Sequence, residues 1–415
     1  MIFKVTVAAV ALAFSIGTAG AQTILNLSLD DAKSRLLQDN LSLLAEKYDI
    51  ANAEAEAIQA RVWNNPNFVW NSDMYSLEKN QYLNYKNQVL IQLELMVPFN
   101  GRFHKASAAA DQNIAVQKEL FENTLRERVY EFSLTYHQLA VGQQRGILYQ
   151  EMEALYDQLI EAAQMQFEVG AIAGSELQRL QSEQLAIHAE QLDNALEVSQ
   201  VESKLKTLLY LKHDLKIQTE LQSIGTGTLA PFGQLIAEMP GNRSDYQAAL
   251  AALGYHKKNI SLQKALAMGD VKLGYQPHDR GSNYVRPYQG IVVEIPLPTF
   301  NRNQGPIMIA QNELKRAQIE VLHMENEMKN ELASVYQQCL MVDQTLVDYS
   351  SERIQELKRM SANATANFSN RNLSLLEYID LQRIYKQTLG NYLSVKKQQL
   401  DAYATLNYVT GKTNP

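Results

Sequence analysis

Residues 88–100 read QVLIQLELMVPFN, and residues 291–301 read IVVEIPLPTFN. In the first run Val89, Ile91, Leu93 and Leu95 alternate with Gln88, Leu90, Gln92 and Glu94. In the second, Ile291, Val293 and Ile295 alternate with Val292 and Glu294. A period of two with one apolar face predicts strands. Each run has a second candidate strand before it, Pro66 to Leu77 (PNFVWNSDMYSL) and Asp270 to His278 (DVKLGYQPH). Polar loops around Glu78 to Tyr85 and Asp279 to Arg286 would close two hairpins. No spare amphipathic segment remains to cover their apolar faces, and the strands approach the roughly 9 to 11 residues that span a bilayer. Trp63, Trp70, Tyr75, Tyr82 and Tyr85 would supply an interfacial aromatic girdle.

Outward from the strands, the chain is written twice. Gln92-Leu93-Glu94 falls on Val292-Val293-Glu294, and Phe99-Asn100 on Phe300-Asn301. Glu131, Tyr136 and Gln138 then fall on Glu331, Tyr336 and Gln338, and Phe167, Glu176 and Gln181 on Phe368, Glu377 and Gln382. A period near 200 residues is a duplicated half rather than a solenoid unit. The repeats are expected at 22–211 and 243–415, with a linker over 212–242. Each should hold a helix, a hairpin (about 66–99 or 270–299) and two long helices, at about 102–169 and 175–211, then 303–368 and 374–410. No proline interrupts 99–230 or 307–414. Leu125, Val129, Phe132, Tyr136 and Leu139 step by three and four, as do Val321, Met324, Met328, Leu332, Val335 and Cys339, the spacing of coiled-coil helices. Uninterrupted, the longer helices would each extend about 100 Å at ~1.5 Å per residue. Asn100 and Asn301 read as their N-caps.

Of the 415 residues, 46% are hydrophobic, and the net charge of −7 argues against a nucleic-acid partner. The single cysteine, Cys339, excludes an internal disulfide and any multi-thiolate metal site. It lies on the apolar stripe and is expected to be a core thiol. Residues 1–21 carry Lys4, an apolar run from Val5 to Ile16 and Ala19-Gly20-Ala21, the pattern of a signal peptide cleaved after Ala21. The seven histidines form no HxxxH pair and no glycine-rich phosphate loop opens a helix, so no enzyme, cofactor or metal centre is expected. His278-Asp279 falls in an expected outer loop, solvated or a weak metal ligand.

Four strands cannot close a cylinder, and an open sheet edge in lipid leaves backbone groups unpaired at several kcal/mol each. Copies must therefore share a barrel. Two would give 8 strands and a filled interior; three would give 12 and a passage.

Two segments where the long helices turn back, FEVGAIAGSELQ (Phe167 to Gln178) and FSNRNLSLLEYIDLQ (Phe368 to Gln382), resemble, together with the duplicated plan, the TolC-like outer-membrane efflux family. PLPTFNRNQG (Pro296 to Gly305) is similar to the strand-to-helix swivel of its CzcC-like heavy-metal branch. The resemblance implies an α+β membrane protein: a homotrimer with a 12-stranded barrel in the outer-membrane lipid and a coiled-coil α-barrel reaching into the periplasm. Its partners would be a periplasmic adaptor and an inner-membrane pump of the RND type. Val169, Gly170, Ser175, Glu176, Asn370, Arg371 and Asn372 would be adaptor-contact tips. Glu377 and Asp380 would form the acidic ring of the periplasmic aperture. The second tip departs from the pattern by lacking a glycine; asparagine tolerates the left-handed conformation a tight turn can require, so the turn can survive. Glu94 and Glu294 form a second lumen ring if the strand phase is right, or else pair with Arg102 and Arg302. A passive exit duct for heavy-metal cations follows. The alternatives are a duct for type I protein secretion or multidrug efflux, and a soluble periplasmic coiled-coil scaffold or adaptor.

Overall fold

The computed structural model describes residues 24–72, 74–76, 80–82, 89–222, 229–279, 286–370 and 372–412. The expected signal peptide, Tyr85, Arg371 and most of both polar loops lie outside the described residues. The elements run β1 (Ile24–Leu27), α1 (Leu29–Asp39), α2 (Leu41–Gln59), β2 (Asn67–Ser72), β3 (Tyr75–Ser76), β4 (Gln81–Tyr82) and β5 (Val89–Val97). Then come α3 (Arg102–Glu168), α4 (Gly174–Leu208), β6 (Lys216–Thr219), α5 (Phe232–Asn242), α6 (Ser244–Leu266) and β7 (Val271–Asp279). The chain ends with β8 (Tyr288–Glu294), α7 (Gln304–Val347), α8 (Ser351–Ser369) and α9 (Leu375–Thr410).

The two expected hairpins form and join. Antiparallel pairs β2–β5 and β7–β8 meet through β5–β7, so the sheet order is β2-β5-β7-β8. His278 and Asp279 belong to β7, opposite Ile91 and Leu90, rather than to a loop.

From this sheet α3 runs uninterrupted for 67 residues, about 100 Å. Its counterpart does not. The expected continuous helix over 303–368 breaks at 348–350 into α7 and α8. The Ser350 hydroxyl accepts from the Arg353 N–H at 3.3 Å, and the Arg353 guanidinium donates back to the Asp348 carbonyl at 3.3 Å. A serine cap competes with helix continuation without any proline or glycine. Missing breakers permit a long helix; they do not require one. The long helices also start differently from expectation. Asn100 is left-handed (φ 60°) and precedes the N-cap Gly101, while Asn303 rather than Asn301 caps α7; neither cap makes a side-chain capping bond.

Three apolar clusters hold the helices. Midway along α3, Phe132, Tyr136 and Leu139 pack with Leu36 of α1, Leu205 of α4 and Ile217 of β6. The parallel β1–β6 pair there, with Tyr136 Oη donating to the Leu27 carbonyl at 2.8 Å, has no alternating pattern long enough to announce it. Toward the turns, Met152, Tyr156 and Leu159 meet Leu180, Tyr378, Ile379 and Tyr385. The third cluster contains the Met328, Leu332, Val335 and Cys339 stripe of α7, packed with Ala402, Leu406 and Val409 of α9. Burial pushes the Cys339 thiol up to about 11, as an inert core thiol requires.

The repeats are clasped by charge. Arg126 of α3, 2% exposed, donates to Asp245 at 2.9 Å and to the Tyr408 carbonyl at 3.1 Å, with its guanidinium 4.5 Å from the Tyr408 ring centroid. Arg243 grips the same Asp245 through two nitrogens at 2.6 and 3.0 Å and reaches Glu331 at 2.6 Å. Gly411 ends α9 against this clasp with φ 74°, and a Cβ there would lie 2.4 Å from the Asn242 carbonyl oxygen. Gly411→Ala therefore lowers the thermal unfolding midpoint of the purified protein, by a destabilisation of about 1–3 kcal/mol.

Candidate pore-lining sheet and helix-turn tips

The strand pleat sends side chains alternately to two unlike faces. On one face a row of Phe68, Leu93, Tyr275 and Ile291 crosses all four strands in register, each side chain between 51 and 79% exposed. Trp70, Leu273 and Val293 extend the same face and are also exposed. On the other face Gln276 Nε2 donates to Gln92 Oε1 at 2.9 Å, and Gln92 Nε2 donates to Glu94 Oε1 at 2.7 Å. A side chain at Gly274 would collide with the Gln92 amide at 2.8 Å, so glycine clears the way for that polar ladder. Of the aromatics expected to form a girdle, Trp63 stacks on Phe103 at 5.8 Å, Tyr75 and Tyr82 pair at 4.9 Å between β3 and β4, and Trp70 lies within the sheet.

At the foot of the polar face Lys272 Nζ lies 2.9 Å from Glu94 Oε2 and 3.5 Å from Glu294 Oε2. The two glutamates do share a face, and the alternative pairing with Arg102 and Arg302 does not form. Arg102 pairs with Asp270, and Arg302 donates to the Thr299 carbonyl. Lys272 was not singled out by the sequence because its neighbours in β7 follow no charge pattern. Pairing across strands brings it between the acids.

The other end of the molecule carries the turns. At the first, Ala171 N–H donates to the Gln166 carbonyl at 2.8 Å and Gly170 N–H to the Phe167 carbonyl at 2.9 Å, closing a Schellman turn with Gly170 at φ 70°. Val169 protrudes, 79% exposed, and Ser175 and Glu176 lie exposed in the first turn of α4. At the second, Asn372 N–H donates to the Asn367 carbonyl at 2.9 Å, the same long closing bond. Asn370 ends α8 at φ −85°, outside the left-handed region. The position matching Gly170 is Arg371.

Glu377 and Asp380 are both exposed on α9, but they are not equivalent. Glu377 closes a capping box: Ser374 Oγ accepts from Glu377 N–H at 3.3 Å, and Glu377 Oε2 accepts from Ser374 N–H at 3.0 Å and Oγ at 2.6 Å. Those bonds from Ser374 hold its carboxyl below the usual carboxylate range. The Asp380 side chain makes no hydrogen bond or ion pair with any described residue. Behind them Lys386 reaches Glu190 at 2.7 Å and Arg383 pairs with Glu183, tying α9 to α4. Among the described residues no group of three or more His, Cys, Asp and Glu is arranged to hold a metal, and no helix is long and apolar enough to cross a membrane.

No protein-family model and no curated protein matches the chain. Solved structures do. The outer membrane protein VceC from Vibrio cholerae matches with a TM-score of 0.73 at 14% identity, over 92% of this chain and 96% of that one. The CmeC outer membrane channel of Campylobacter jejuni matches at 0.75 and 12% identity, over 93% and 86%. CusC, described in connection with transmembrane channel formation, matches at 0.71 and 16% identity, over 92% of both chains. The chain has the TolC-like outer-membrane channel fold. Within that channel fold the four antiparallel strands and the long helices are the elements described above.

Proposed function

We propose that this protein is the outer-membrane exit duct of a tripartite efflux system, a homotrimer whose helical tunnel meets a periplasmic adaptor and an inner-membrane pump of the RND type. The observation that carries the reading is the exposed apolar row Phe68–Leu93–Tyr275–Ile291 on an open sheet, backed by a polar ladder. Lipid suits the first face and a water-filled lumen the second. Three copies of the four-stranded sheet close a 12-stranded barrel. A periplasmic scaffold would have no use for such a face. Membrane fractionation with heat-modifiable migration, followed by planar-bilayer recording, tests the duct. Outer-membrane recovery and stepwise conductance are expected; protein that stays in the aqueous periplasmic fraction overturns the reading.

The cargo is proposed to be heavy-metal cations, on the strength of the PLPTFNRNQG segment, Pro296 to Gly305. In that segment Asn303 Nδ2 donates to the Gln263 carbonyl at 2.8 Å, tying the start of α7 to α6. A deletion strain should become more sensitive to cobalt, zinc or cadmium; sensitivity to drugs alone would transfer the duct to multidrug efflux. The adaptor is proposed to meet the tips at Val169, Gly170, Ser175, Glu176, Asn370, Arg371 and Asn372.

Glu377 and Asp380 are proposed to ring the aperture, where carboxylates favour cations. Because Glu377 is turned back into its capping box, Asp380→Asn should lower the cation-over-anion permeability ratio more than Glu377→Gln does. An unmoved ratio in both variants, read from bilayer reversal potentials, would remove the acidic-ring proposal, whereas equal losses would overturn only the ranking.

A further inference from the structure

We infer that Lys272 is a built-in counter-ion that sets the charge, and so the ion selectivity, of the barrel lumen at its periplasmic foot. The inference rests on the duct reading above and goes beyond it by naming a selectivity-determining cation where the resemblance points only to acids.

Three adjacent strands each contribute one charge to this corner: Glu94 from β5, Lys272 from β7 and Glu294 from β8. The register puts Lys272 directly opposite Glu294 and Met96, on the polar face. The acids are held unequally. One Glu94 oxygen takes Lys272 at 2.9 Å and the other takes the Gln92 amide at 2.7 Å, and its side chain is only 12% exposed. Glu294 has Lys272 at the longer 3.5 Å and is 67% exposed. Glu94 and Lys272 therefore behave as an internal pair, and Glu294 is the carboxylate turned to the solution.

Neither neighbouring arginine pairs with these glutamates. Asp270 is engaged by Arg102, with its side chain 5% exposed, and Arg302 donates to the Thr299 carbonyl. Two carboxylates against one ammonium leave one net negative charge in this cluster per chain. A closed ring of three chains would then present about half the charge that its glutamates alone would give. The tethered ammonium competes with permeating cations for the same oxygens, and at a narrow, water-filled level that competition governs selectivity.

The test is reversal potential across planar bilayers in a dilute salt gradient, on purified assembled protein. Lys272→Gln is expected to raise the cation-over-anion permeability ratio about twofold or more, with the gain shrinking near 1 M salt, where the screening length falls to about 3 Å. Glu294→Gln should move the ratio the other way, toward no preference. The double variant Lys272→Gln, Glu94→Gln keeps the parental net charge and should return the ratio to the parental value. Channels of normal conductance whose ratio is the same in Lys272→Gln and parent overturn the inference alone. If Lys272→Gln fails to assemble, an unmoved ratio in Glu294→Gln overturns it equally. Absence of any conductance in the unmodified protein overturns the duct reading and this inference with it.

Discussion

On the proposed duct reading, Ile291→Arg abolishes the assembled outer-membrane form. Ile291 stands at the edge-strand end of the exposed apolar row and is 79% exposed. If that row faces hydrocarbon, a guanidinium near mid-sheet costs about 2–4 kcal/mol in each copy, and every copy in the ring carries it. The heat-modifiable band should disappear from the outer-membrane fraction. Asn71→Arg is the control. It adds the same charge to the same sheet, but Asn71 pairs with Leu90 and alternates with Trp70, which puts it on the polar face. Assembly should survive it. If both variants assemble equally well, the apolar row does not contact lipid.

Asp245→Asn is the most destabilising polar change expected in the helical part. The wild-type carboxylate lies between Arg126 and Arg243, whose side chains are nearly buried. An amide in its place leaves two guanidiniums close together with Glu331 as the remaining acid on Arg243. Breaking such a pair from one side costs about 3 kcal/mol or more. Denaturant unfolding in detergent at neutral pH should show the loss, whereas Asp111→Asn, which breaks the exposed Arg61–Asp111 pair, should shift stability by less than about 1 kcal/mol. The same residue gives an acid limb. Burial alone would raise the Asp245 carboxyl, but hydrogen bonds and charge from Arg243 and Arg126 outweigh it and bring it down to about 2, from the ordinary 3.8. A carboxyl depressed on folding contributes fully above its unfolded value and loses that contribution as pH falls through the folded one. Wild-type stability should thus drop between about pH 4 and pH 2 by on the order of 2 kcal/mol more than that of Asp245→Asn.

Much of this was legible in the chain. Alternation in residues 88–95 and 291–295 marks β5 and β8, and three–four spacing marks α3 and α7, because both periods express which face of an element is apolar. The buried thiol of Cys339 followed from its place on that stripe. Signals that depend on one side chain were less readable. The Ser350 cap that divides α7 from α8 looks like any serine in a polar stretch, and the asparagines before α3 and α7 advertise capping bonds they do not make. Glu377 and Asp380 share a spacing but not a role, since only Glu377 is within reach of Ser374.

Period, duplication and the absence of breakers belong to the sequence, because each is a property of residues a few positions apart or of one half set against the other. They determined two hairpins and long paired helices. Partnerships across the fold belong to the tertiary structure alone. Lys272 meets glutamates from two other strands, one of them in the opposite half of the chain, only because β5, β7 and β8 lie side by side. Arg126 meets Asp245 only because α3 passes the start of α6. Charge acts through space at a few ångströms, and no local pattern along the chain records which distant residues the packing will bring that close.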